Sequence, residues 1–174
     1  MKKFILFITL LTLSLSAKVL ISPVDVMQQS FGKNSEISKK NILLNKSQLQ
    51  TIQKDAKTKI KTKIFRVFKA VKGAETLGFG VLVKRKVRSK NAVVLYVISK
   101  DSILKSIEII AFNEPAEYIP SKTWIKQFDK IKTDKMLRVS KDIPTISGAT
   151  MSAVSIVDGS RVAFAIYKEI LKGK

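Results

Sequence analysis

The chain has 174 residues, 33 Lys or Arg against 13 Asp or Glu, a formal charge of +20, and neither Cys nor His. That length suits one domain with a real hydrophobic core, and 45% apolar with 26% charged residues is a globular mixture. The two missing residue types exclude disulfides, thiolate or imidazole metal sites, iron–sulfur ligation and a Ser-His-Asp triad, and the acids are too few and scattered to suggest a carboxylate cation site.

Lys2 and Lys3 precede an apolar run from Phe4 to Leu13, and Ser14, Leu15, Ser16 and Ala17 follow. A basic start, a short apolar stretch and a small-residue end predict a secretory signal peptide over 1–17, with an uncleaved anchor as the alternative. The run is shorter than the roughly 20 residues that span a bilayer. Loss of Lys2 and Lys3 would leave +18. The expectation is export to a bacterial periplasm, away from cytosolic ATP and NADH.

Residues 18–63 read as a basic helical segment. Twelve Lys or Arg face only Glu36 and Asp55 between Lys33 and Lys72. Within that stretch Ser47 is a candidate N-cap, with Leu49, Ile52, Ala56 and Ile60 at helical spacing and lysines on the other faces. One reading of the block is a surface for anionic membrane. The other is an amphipathic helix with a solvated lysine face. Nucleic acid is not expected as a partner, because no aromatics are interleaved for stacking and the chain carries an export signal.

The remainder, 64–174, reads as one domain. Ile64–Val71, Leu77–Val83, Val93–Ser99 and Ile103–Phe112 predict four strands joined by short turns, an antiparallel meander. Lys84–Lys90 is a hairpin loop with five basic residues. Gly78 and Gly80 share one strand face and suit either a bulge or a close backbone approach by a ligand. Beyond Asn113-Glu114-Pro115, Ser121 is expected to cap a short helix whose Trp124 and Phe128 anchor the core. A polar linker follows from Lys132 to Asp142, and a last helix runs from about Met151 to Leu171. Strands in a block flanked by helices predict an α+β fold.

The stretch Asp142-Ile143-Pro144-Thr145-Ile146-Ser147-Gly148-Ala149-Thr150-Met151-Ser152 lies where the loop becomes that helix. Small residues admit a close neighbour, and a helix N-terminus suits a phosphate. A Gly turn before a capped helix is the plainer reading. Thr150 has no base in sequence reach, so no catalytic residue is assigned.

Ser147-Gly148-Ala149-Thr150-Met151-Ser152 resembles the S/T-G-A-T-x-S/T signature of the FMN-binding domain family, found in periplasmic flavin subunits of sodium-pumping NADH:quinone reductase and Rnf-type complexes. The strands from Ile64 to Phe112, Glu114-Pro115, Tyr118, Trp124, Gln127-Phe128 and the helix with Asp158-Gly159 and Arg161 are similar to that family's layout. The resemblance covers roughly Ile64 to Leu171. It implies an electron carrier, not a stand-alone enzyme, with FMN joined to Thr150 by a phosphoester bond. It also implies a flavin transferase as partner, donating FMN from FAD, and redox partner proteins in the membrane or periplasm. Ser147, Gly148, Ala149 and Ser152 would surround the attachment point, with Glu114 and Tyr118 as further lining candidates and no metal held by this chain. The family has Asp six residues before the Thr, where this chain has Pro144. Asp142 acting through a longer loop is the first expectation, and FMN held without a covalent bond is the second. Arg161 reads as a surface or packing residue. A competing function is a non-redox basic binding module for anionic lipid or an acidic protein.

Overall fold

The computed structural model describes residues 20–174; the expected signal peptide lies outside them. Five strands form one antiparallel sheet in chain order: β1 (Glu36–Leu43), β2 (Ile64–Lys72), β3 (Glu75–Lys86), β4 (Asn91–Ser99) and β5 (Leu104–Phe112). The α+β meander matches expectation, with one strand added. β1 pairs in register with β2, from Glu36 opposite Val71 to Leu43 opposite Ile64. Segment 18–63 therefore contributes a strand as well as helices.

Each face of the sheet is covered differently. On one face lie α2 (Lys46–Ala56) and a long C-terminal helix, α4 (Thr150–Ile166), which is continued by a wider turn over Tyr167–Leu171. They enclose Phe65, Val67, Phe79, Val81, Tyr96 and Ile98 together with Trp124 and Phe128. Trp124 and Phe128 meet edge to face at 5.2 Å and are core anchors, as expected. The short α3 (Lys122–Ile125) that carries Trp124 is capped by the Ser121 hydroxyl, which accepts from the Trp124 N–H.

On the other face lies α1 (Pro23–Phe31), packing Val26 and Met27 on Phe68, Leu95 and Val97. This explains Gly78 and Gly80. A Cβ on Gly78 would overlap the Phe31 ring and the Ile98 carbonyl, and one on Gly80 would come 2.7 Å from Met27 Sδ. The close approach is made by the chain's own helix. A bulge also falls there, where Ala70 pairs with Gly78 and Val71 with Thr76.

The N-cap of α2 is Asn45, not Ser47, and a reciprocal capping box joins it to Gln48. Ile52 and Ala56 of this helix are buried, and Lys46, Lys54 and Lys57 are exposed, which is the amphipathic reading. α4 is seated by Tyr96, whose hydroxyl donates to the Ile156 carbonyl at 2.9 Å. A Cβ at Gly159 would overlap that same hydroxyl oxygen, so no side chain fits between helix and sheet. Asp158 then ties three elements together, accepting from Arg85 of β3 at 2.9 Å, Thr58 after α2 at 3.2 Å and Arg161 at 2.5 Å.

Candidate functional site

The chain arrives at α4 through a β-turn over Ile146–Ala149, closed by the Ala149 N–H on the Ile146 carbonyl at 3.0 Å. Gly148 has φ +74 at its third position, which the turn requires and Gly adopts without strain. The N-cap of α4 is Ala149, which has no side-chain acceptor. The start of the helix is left to whatever occupies the space in front of it. Thr150 is the first helical residue and is exposed, its hydroxyl making a 3.4 Å contact with the Ile146 carbonyl.

Two neighbours complete the site. Ser152 is buried, and its hydroxyl donates to the Tyr118 carbonyl at 2.7 Å, fastening α4 to the turn Ala116–Tyr118. Glu114, also buried, follows β5 and reaches the β3–β4 loop. One carboxylate oxygen accepts the N–H groups of Arg88, Ser89 and Lys90 at 3.0, 2.6 and 2.6 Å, and the other accepts the Ser89 hydroxyl at 3.1 Å. These bonds, the Lys90 N–H first, hold its pKa down at about 2 although burial pushes the other way. Glu114 is thus the ionised clamp of a basic loop. The loop presents Arg88, whose guanidinium lies 3.5 Å from the Tyr118 hydroxyl.

Between these parts opens a cleft of about 240 Å³ lined by Val87, Arg88, Glu114, Tyr118, Gly148, Ala149, Thr150, Met151 and Ser152. Among the expected residues, Glu114, Tyr118, Gly148, Ala149, Thr150 and Ser152 converge there. Ser147 sits in the preceding turn, exposed and outside the lining. Asp142 also stands apart. Its carboxylate accepts the Arg138 N–H at 2.9 Å and lies 3.8 Å from the Lys135 and 3.6 Å from the Arg138 side chain. At Pro144, the carbonyl accepts the Trp124 indole N–H at 2.9 Å. Met151, the variable position of the motif, lines the site as well, and Arg88 and Val87 join it although no pattern in the sequence singles them out. The five basic residues of the loop are visible there, but not the carboxylate that folds them over α4.

A larger cleft, about 420 Å³, lies between the ends of α2 and α4 and residues 133–136. Its Arg161 is engaged in packing, donating to the Ala56 and Leu137 carbonyls at 2.8 Å each and to Asp158.

No protein-family model matches the chain, and no curated protein matches it. Among solved structures it is similar to the crystal structure of Shewanella oneidensis NqrC, with a TM-score of 0.54 and 15% identity over 81% of each chain. At that identity the likeness is one of fold. It supports, at a coarse level, the FMN-binding-domain-like fold that the motif implied.

Proposed function

We propose that this chain is an exported electron-transfer protein that carries FMN in the cleft at the start of α4, joined to Thr150 through a phosphoester. The observation that carries this reading is an exposed Thr hydroxyl on the first turn of a helix that lacks a side-chain cap, in a cleft that Arg88 also lines. The fold shared with NqrC supports it.

The residues present fit the phosphate end of such a group. The uncapped, positive end of α4 favours an anion. The Arg88 guanidinium adds a charge-assisted donor. At Gly148 the space beside the backbone is open. Met151 and Val87 offer apolar surface beside it. Bound there, flavin would supply the one- and two-electron chemistry that the chain's own side chains lack.

Thr150 Oγ is the acceptor in this reading. A bond from it to the FMN phosphorus would replace the phosphoanhydride bond of FAD, AMP would leave, and the hydroxyl proton would pass to the flavin transferase. No base in this chain is needed. The Ser152 hydroxyl, engaged with Tyr118, holds the helix start in place. Because Asp142 faces Lys135 and Arg138, the transferase would read the turn and Thr150 without an Asp at the position of Pro144. The strong positive charge would favour an anionic reduced cofactor and steer acidic redox partners, less so at high salt.

The test is intact mass and visible absorption of the protein isolated from a host that has the transferase. One FMN less one water should be added to the wild type and to no Thr150→Ala molecule. A flavin band surviving denaturation in Thr150→Ala would remove Thr150 from the proposal.

A further inference from the structure

Among the described residues, four large apolar side chains are exposed: Leu20 at 47%, Leu43 at 72%, Ile64 at 58% and Met151 at 50%. Scattered singly they would need no explanation. All four stand at one end of the sheet. Leu43 and Ile64 are paired where β1 ends and β2 begins. The Leu20 N–H donates to the Ile110 carbonyl near the end of β5. Met151 belongs to the cleft, with Val87 and Arg88 of the β3–β4 loop. Five strands side by side measure about 20 Å across, so these tips are spread over one end of the sheet.

The same end holds exposed Lys63, Lys84, Lys86, Arg88 and Lys90. None of them takes part in the six ion pairs found among the described residues. Glu114, a buried acid at this end, is engaged by backbone N–H groups. α1 packs on the part of its sheet face around Gly78 and Gly80 and leaves Leu43 and Ile64 bare.

We propose that this end of the sheet is a docking surface for an anionic lipid bilayer. Separate apolar tips can each enter the headgroup boundary while the cations among them meet lipid phosphates. The exposed apolar side chains are spread across this end instead of forming one flat patch, which suits a deformable bilayer better than a rigid protein partner. No helix among the described residues is long and apolar enough to cross a membrane. One consequence rests on the flavin reading above: the cleft would exchange electrons with a partner held in that membrane.

The experiment is co-sedimentation of the purified protein with vesicles of phosphatidylglycerol and phosphatidylcholine in equal parts, and of phosphatidylcholine alone. Binding to the mixed vesicles should be at least about tenfold tighter and weaken with salt. Lys63→Ala and Lys84→Ala should each weaken it roughly fivefold. The double variant Leu43→Thr, Ile64→Thr, which puts β-branched residues in the paired strands, should weaken it about tenfold, with a melting temperature within a few degrees of the wild type. Lys72→Ala, at the opposite end, should leave it within about twofold. Equal binding to both vesicles, or an equal effect of Lys72→Ala, overturns the proposal. So does capture by soluble polyglutamate without vesicle binding, which would assign the surface to an acidic protein. Flavin mass is read on the same samples. Loss of docking with flavin intact sinks only the surface, and docking without flavin sinks only the cofactor.

Discussion

Helices α2 and α4 begin in opposite ways. At α2, Asn45 and Gln48 satisfy each other's backbone N–H groups, and exposed lysines surround them. At α4 the cap position is Ala149, which offers no acceptor, and a cleft opens in front of it. The first helix start is closed by its own side chains and serves stability. The second has no side-chain cap, and a hydroxyl stands at its tip. The contrast points to the start of α4 because three things coincide there: an end without a side-chain cap, an exposed hydroxyl and a cleft.

The sharpest way to break that contrast is Thr150→Ala. Covalent flavin should vanish completely while stability, measured by denaturant unfolding, stays within about 0.5 kcal/mol, because the side chain is exposed. A large loss of stability would make Thr150 a structural residue like Asn45. Glu114→Gln should come next. The folded Glu114 titrates at about 2 against an ordinary 4.5, so its contribution is present above pH 4.5 and is lost as the pH falls toward 2. The melting temperature of the wild type should drop as the pH is lowered through that window, and the variant should show a flatter profile.

Asn45→Ala probes the closed end. It should cost about 1 kcal/mol of stability and leave flavin content unchanged. Met151→Asp is the smallest and most discriminating change. An acid in the first turn of α4 should stabilise the helix by about 0.5 kcal/mol. It should also weaken the uptake of added FMN by the unmodified protein, followed by fluorescence. If uptake is unaffected, the helix start is not the anion site.

Much of this is legible in the residues, and the exceptions have physical causes. β2 to β5 announce themselves through β-branched and aromatic runs between short turns. β1 does not, because Ser38, Lys39, Lys40 and Asn41 sit exposed on an edge strand where neither face demands an apolar residue. α1 carries a usable signal in Ser22-Pro23, an N-cap followed by Pro at the first helical position. The turn and Thr150 can be read directly from the motif. Arg88 cannot, since its place beside Thr150 depends on a carboxylate 26 residues away that gathers the loop.

The contact between Gly159 and Tyr96 reaches further than packing. It lies about 13 Å along the helix axis from Thr150. With backbone pressed against a phenol, that helix has no freedom to roll or slide on the sheet. The hydroxyl at its tip is therefore aimed from a distance. Anyone grafting the six-residue motif onto another scaffold would have to transplant this remote seat along with it.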